Sequence, residues 1–315
     1  MTTLITQLER ITPAQQNGIL TIGKFDGLHL GHQEAIRTIQ DIARIQSRPH
    51  LLMTFEPTPL EYFMKDEAPP RLTSFSEKMR LLERMHVENV ICLHFDRMLA
   101  SLPADAFIKK ILIEKLRVRH IVIGKDFRFG SGRQGSLEML KRLGETNGFH
   151  AEALPTIMQG GSRVSSTRVR DALQSGDLTL ARTLLGRDYA MTGRVIYGTQ
   201  QGRSIGFPTA NITVHRHRPA LTGVFVVEVE GIEKTLLPGV ANLGTRPTVH
   251  GNIPLLEVHL LNFKGSLYGR RLTVHFRKKL RDERRFPSFE ALQKQIRHDA
   301  ICARNFFNLP TPEHP

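Results

Sequence analysis

The sequence predicts two domains of different class: an α/β domain with a parallel sheet over residues 1–186, then an antiparallel β-barrel with a terminal helix over 187–315. Three observations predict this. The chain has 315 residues, enough for two domains of about 150 residues each. Up to Gly186, short apolar runs alternate with apolar residues at helical spacing, the pattern of a parallel sheet covered by helices. Beyond Gly186, strand-like runs follow one another across turn residues with little helix between them, the pattern of a barrel or sandwich.

Ile19–Phe25 is the first β-type run, and Ile36, Ile39, Ile42 and Ala43 then recur at helical spacing within Gln33–Ile45. Leu51–Phe55 reads as a strand, Ser76–Met85 as a helix and Val90–Leu93 as a strand. A helix over Ala104–Lys115 precedes a strand at Ile121–Gly124, and Leu137–Leu143 is helical again. In the second half Thr192–Tyr197, Val224–Glu230, Thr235–Pro238, Leu255–Leu261 and Leu272–Phe276 read as strands. An amphipathic helix closes the chain from Ser288, its N-cap, to about Phe307. Ligands bind parallel sheets at the carboxyl ends of their strands, so the residues just after each run carry the functional interest.

Composition narrows the function classes. Hydrophobic residues make up 40% of the chain, which excludes wholesale disorder. No apolar run approaches the roughly 18 residues of a membrane span, and the N-terminus lacks a secretory pattern, so a cytoplasmic setting is expected. Cys92 and Cys302 stand far apart, which supports neither a disulfide framework nor a cysteine zinc site. The net charge is +14, divided as +5 over residues 1–186 and +9 over residues 187–315. Such a balance suits anionic partners: nucleic acid, membrane surface or phosphorylated small molecules. A basic RNA-binding protein would interleave aromatic residues with its cations for base stacking, but aromatics are 7% and tryptophan is absent.

The first constellation is Ile22-Gly-Lys-Phe-Asp-Gly-Leu-His-Leu-Gly-His32, which leaves the first strand and enters the first helix. Gly27 and Gly31 carry no Cβ and allow close approach to a ligand, and N–H groups at a helix start favour anions. His29 and His32 lie three apart, so both imidazoles can face one phosphoryl group and donate to its developing charge. Two histidines on a turn also suit a metal site or a plain surface. Ser165, Ser166 and Thr167 precede a helical stretch and offer hydroxyls and N–H groups to a phosphate, while Arg170 adds a permanent charge. A competing motif, Gly130-Ser-Gly-Arg-Gln-Gly135 with Glu152 downstream, fits the dinucleotide fingerprint in spacing. It follows the fourth apolar run rather than the first, so it reads as a loop.

The H-x-G-H pattern after a first strand resembles the nucleotidylyltransferase superfamily. The fuller string resembles the bacterial bifunctional riboflavin kinase/FAD synthetase family. Thr54-Phe-Glu-Pro, Gly124-Lys-Asp-Phe-Arg-Phe-Gly130 and Val164-Ser-Ser-Thr-Arg-Val-Arg170 match that family in the same order. For the first domain, the resemblance implies His29 and His32 as catalytic residues. It implies Gly23, Phe25, Asp26, Gly31, Asp126, Ser165, Ser166, Thr167 and Arg170 as the ATP and phosphate site. Lys24 stands where the family usually has Asn, Lys125 replaces a frequent acid, and Thr58 occupies a site often filled by His or Gln.

The second constellation, Gly202-Arg-Ser-Ile-Gly-Phe-Pro-Thr-Ala-Asn211, resembles the riboflavin kinase signature. In an extended segment Thr209 and Asn211 share a face, where a hydroxyl and an amide oxygen suit Mg²⁺ whose other positions go to water and ATP phosphates. Gly202 and Arg203 complete the expected ATP site. Leu256-Glu-Val-His259 puts Glu257 and His259 on one face of an apolar strand. A carboxylate there is costly if buried without a partner, and the resemblance makes Glu257 the general base toward the riboflavin 5′-hydroxyl. His259 reads as structural. Arg246 and Arg281 lie in further matching blocks, as flavin-side residues. The resemblance implies riboflavin phosphorylation to FMN and FMN adenylylation to FAD, with ATP as cosubstrate and Mg²⁺ as metal. It implies no bound redox cofactor and no nucleic-acid or membrane partner.

Overall fold

The computed structural model describes residues 2–198, 206–214, 216, 218–248 and 251–310, with the backbone alone at 246–248 and 251–253. The chain groups into two compact units: Met1–Pro69 with Phe75–Ser165, and Pro70–Ser74 with Ser166–Pro315.

Unit 1 is a six-stranded parallel sheet. Its strands are β1 (Thr3–Ile5), β2 (Ile19–Ile22), β3 (His50–Glu56), β4 (Asn89–His94), β5 (His120–Gly124) and β6 (His150–Leu154), in the order β1-β4-β3-β2-β5-β6. Helices α1 (Leu30–Ile45), α2 (Pro59–Met64), α3 (Phe75–Arg84), α4 (Arg97–Ser101), α5 (Ala104–Phe107) and α6 (Leu137–Asn147) connect them. The buried stripe of α1 explains its seating: Ile39 and Ala43 pack against Ile19 and Val122, on β2 and β5. Burial of each such aliphatic side chain stabilises by about 1.5–3 kcal/mol.

The first strand ends at Ile22, earlier than the apolar run suggests. Three residues with positive φ, Phe25 (49°), Gly27 (82°) and Leu28 (43°), turn the chain away from the sheet there. Helix α1 accordingly starts at Leu30, so Gly31 and His32 occupy its first turn. The helix expected over Ala104–Lys115 is α5 followed by a π-helical stretch, Ile108–Lys115. The short flanking strands β1 and β6 are additions to the sequence reading, as is a two-stranded hairpin, β7 (Met158–Gln159) with β8 (Ser162–Arg163).

Unit 2 opens with α7 (Ser166–Ser175) and α8 (Leu178–Leu185). The sequence division at Gly186 falls on the left-handed C-cap of α8 (φ 69°), whose N-cap Asp177 accepts from the Leu180 N–H at 2.8 Å. Six antiparallel strands then close a barrel: β9 (Ala190–Ile196), β10 (Ala210–Thr213), β11 (Gly223–Glu230), β12 (Leu237–Thr248), β13 (Gly251–Leu260) and β14 (Arg271–Arg281). Their order is β10-β13-β12-β11-β14-β9, with β9 pairing back to β10. β12 starts later and runs much longer than Thr235–Pro238. Helix α9 (Phe289–Phe306) is capped by Ser288, and its Ala300 and Ala303 pack against Val226 and Leu261.

Candidate active sites

In unit 1 the chain leaves β2 through α1 toward β3 on one side, and leaves β5 through α6 toward β6 on the other. β2 and β5 are neighbours, so their carboxyl ends form the topological switch point at which such sheets open a crevice. A cleft of about 330 Å³ lies there. Gly23, Lys24 and Phe25 line it after β2, and Gly124, Lys125 and Asp126 after β5.

His29 is the residue before α1 and His32 lies in its first turn. Both face this cleft. Their rings stack at 3.7 Å between centroids and 18° between planes, and Phe25 lies 5.1 Å from the His32 ring. His29 is buried. A Cβ on Gly31 would approach its ring to 3.2 Å, so glycine at 31 leaves room for the imidazole. Phe25 and Leu28 adopt left-handed backbone, a conformation that costs on the order of 1–3 kcal/mol per non-glycine residue. This loop is held from beneath: the buried Lys78 donates to the Lys24 carbonyl at 2.8 Å, and Thr54 Oγ1 donates to the same oxygen at 3.3 Å. The Thr54 motif therefore acts through the backbone of the β2–α1 loop, and sequence reasoning missed Lys78.

Of the other residues expected in this site, Ser165 and Gly31 line the cleft and Asp26 is buried beside it in the chain. Asp126 lines it too, ion-paired with Arg163, a cation the sequence reading did not single out. Ser166, Thr167 and Arg170 open α7 in unit 2, where Arg170 Nε donates to the Pro70 carbonyl at 2.6 Å. Thr58 caps α2, sharing a reciprocal capping box with Glu61. Lys24 and Lys125, two of the three departures from the family pattern, both line the cleft and add positive charge to it.

In unit 2 the register sets Asn211 of β10 directly opposite Glu257 of β13, and Asn242 of β12 opposite Glu257 on its other side. Residues so paired point to one face. Leu256 and Val258, which flank Glu257 in sequence, are fully buried on the opposite face. Asn211 is itself buried, with its amide so close to Gly198 that a Cβ there would lie 2.2 Å from Nδ2. Thr209 stands two residues before Asn211. The Asn242 Nδ2 donates to Glu283 Oε1 at 3.2 Å, while its Oδ1 is buried without a hydrogen-bond partner.

His259 holds the approach to Thr209. Its Nδ1 lies 3.0 Å from the Pro208 carbonyl and its ring packs against Phe207. Burial pushes its pKa down, against the opposing effect of that hydrogen bond. A neutral ring donating from Nδ1 follows. Arg281 makes a two-oxygen ion pair with the buried Asp299 of α9, at 2.9–3.2 Å, and stacks over Phe286. Gly202 and Arg203 lie outside the described residues, as does the side chain of Arg246.

A family model described as FAD synthetase matches residues 11–168, and one described as riboflavin kinase matches residues 185–307. A bifunctional riboflavin kinase/FMN adenylyltransferase from Escherichia coli (strain K12) is 46% identical over 98% of this chain and 99% of that protein. A protein of the same name from Haemophilus influenzae is 44% identical over 97% of this chain and 99% of its own. A solved structure described as a macrolide-efflux protein from Streptococcus pneumoniae superimposes with a TM-score of 0.82 at 32% identity, covering 96% of this chain and 99% of that one. Among the described residues here, no helix is long and apolar enough to cross a membrane. With both halves matched in order and nearly the whole length shared, the chain belongs to the bifunctional riboflavin kinase/FMN adenylyltransferase family.

Proposed function

We propose that the chain makes FAD from riboflavin in two ATP-dependent steps, each in its own half, divided at residue 186. The single observation that supports this best is that chemistry-bearing residues collect in two places. One is the His29–His32 pair in the cleft of unit 1, and the other is the Asn211–Glu257–Asn242 row of the barrel.

In the kinase step Glu257 takes the proton of the riboflavin 5′-hydroxyl, and that oxygen attacks the γ-phosphorus in line. The bond to the β–γ bridging oxygen breaks and ADP leaves. Asn242 Oδ1, buried and unpartnered, is the acceptor for the proton that Glu257 then carries. Thr209 and Asn211 offer hard oxygen donors on one face, which suits Mg²⁺. When bound, that ion neutralises charge on the ATP phosphates. Gly202 and Arg203 complete the ATP site in this reading, with Arg246 and Arg281 on the flavin side.

In the adenylyl step an FMN phosphate oxygen attacks the α-phosphorus of a second ATP, and pyrophosphate leaves. The nucleophile is already anionic, so positioning and charge neutralisation carry the reaction. His29 and His32 donate to the α-phosphate oxygens, Lys24 and Lys125 balance its charge, and Ser165 receives the outer phosphates. The cleft's own carboxylate, Asp126, is engaged by Arg163, so Mg²⁺ there is carried by the nucleotide. Phe55, Tyr62, Phe63 and Phe95 form a mutual cluster of edge-on rings past the ends of β3 and β4, with Phe63 65% exposed. This shelf is the seat we assign to the flavin ring, since it offers an apolar aromatic surface beside the sheet's carboxyl edge.

The cytoplasm, with its ATP and Mg²⁺, is the setting of this reading. The test is incubation with riboflavin, ATP and Mg²⁺, scoring FMN and FAD separately, alongside a reaction started from FMN. Both products should form, and FMN alone should give FAD. A chain that stops at FMN is a single-activity kinase and refutes the second half.

A further inference from the structure

At the opposite end of the parallel sheet from the cleft, three side chains meet that neither reaction uses. His120 and His150 are the first residues of β5 and β6 and are direct register partners. Glu152 lies two residues along β6, on the same face as His150. The imidazole rings lie 4.7 Å apart, nearly perpendicular, and His120 Nε2 is 2.9 Å from Glu152 Oε1. One ligating atom from each residue lies within 4.8 Å of the other two.

We propose that His120, His150 and Glu152 form a binding site for a divalent transition-metal cation, zinc by preference. Two imidazole nitrogens and one carboxylate oxygen are a donor set of zinc sites, whereas Mg²⁺ and Ca²⁺ prefer oxygen alone. Tetrahedral zinc holds neighbouring donors about 3.3 Å apart at its usual bond lengths. The three atoms therefore need to move by no more than about an ångström or so to grip it. The ion takes the place of the proton between His120 Nε2 and Glu152, and the ring then carries its proton at Nδ1, exchanged through water.

The surroundings agree with this. His120 is nine-tenths buried on the face covered by α1, whereas His150 is exposed and Glu152 partly so. The site is thus fixed on its inner side and open on its outer side, where water can supply the fourth ligand. His50 is the next histidine along this end of the sheet, but Ile19 of β2 stands between it and His120, so it does not join the set. β6 is the free edge of the sheet, and a bound ion would clip that edge to β5.

The test is calorimetric titration of the full-length, nucleotide-free protein with ZnCl₂, repeated on His150→Ala and Glu152→Gln. Thermal unfolding with and without zinc accompanies it. The wild type should bind one ion per chain with micromolar or tighter affinity, which both variants lose by at least about 100-fold. Zinc should raise the unfolding midpoint of the wild type and leave the variants' midpoints unmoved. FMN adenylylation with Mg²⁺ should be unchanged in both variants, which shows that they fold. Wild-type affinity no tighter than that of scattered surface histidines, or variants that bind zinc as the wild type does, would overturn the proposal. The His29–His32 pair is a second imidazole cluster among the described residues, and a His29→Ala control that keeps the site separates the two.

Discussion

Glu257 and the two stacked histidines are the residues on which chemistry turns, and each belongs to one half only. Glu257→Gln keeps the side-chain shape but removes the base. General bases contribute about 10²–10⁴ in rate, so FMN formation should fall by that factor while FMN-to-FAD conversion stays intact. The Asn242→Ala variant is subtler. It removes the acceptor behind Glu257, and we expect kcat for riboflavin phosphorylation to drop by about tenfold with KM for riboflavin little changed. A rise in KM without loss of kcat would show that Asn242 serves binding instead. Asn242 was legible in the sequence only as a member of a matching block. Its place opposite Glu257 depends on a strand register across the 14 residues between them, which periodicity does not reveal. Lys78 escaped for a similar reason, since nothing in an amphipathic helix pattern marks the one lysine that turns inward to hold a distant carbonyl.

At the scale of elements, the β2–α1 loop is the most demanding segment. It carries two non-glycine residues at positive φ and two stacked imidazoles, and it rests on Thr54 and Lys78. Gly31→Ala places a methyl 3.2 Å from the His29 ring. The ring must shift by a few tenths of an ångström, so adenylylation should fall by about tenfold or more, measured against unchanged kinase activity in the same preparation. The aromatic shelf makes a second prediction at this scale. Phe63→Ala should raise KM for FMN in the adenylyl step by about tenfold, the loss of one stacking contact plus its buried area, and an unaltered KM would remove the shelf from the flavin site. Elements with strong periodicity, such as α1 and β11, stood in the sequence where they stand in the fold. Additions included β1, β6, β10 and α8. The three strands are five residues or fewer, too short for a two-residue period to show. Gly186, the C-cap of α8, was visible but was read as a domain boundary.

For the molecule as a whole, three histidines among the described residues share one behaviour. Burial is the leading cause that lowers the pKa of His50, His120 and His259 from 6.5. Between that value and the lower folded one, the unfolded ring binds a proton that the folded ring does not, so stability rises with pH across the window. Acidification from pH 7.5 to 5.5 should therefore lower the urea midpoint of unfolding, in a range where carboxylates have not begun to titrate. A midpoint that is flat or rises on acidification would show that these rings ionise freely in the folded chain. The change from a parallel α/β sheet to an antiparallel barrel was readable because the period of the apolar residues changes near Gly186. The division of labour between the halves is the central claim. Its most direct measurement is product chromatography on Glu257→Gln and on the His29→Ala/His32→Ala double variant, each offered riboflavin or FMN with ATP and Mg²⁺. The account predicts that the first makes FAD only from FMN, and that the second makes FMN from riboflavin and stops there. Loss of both activities in either folded variant would contradict it.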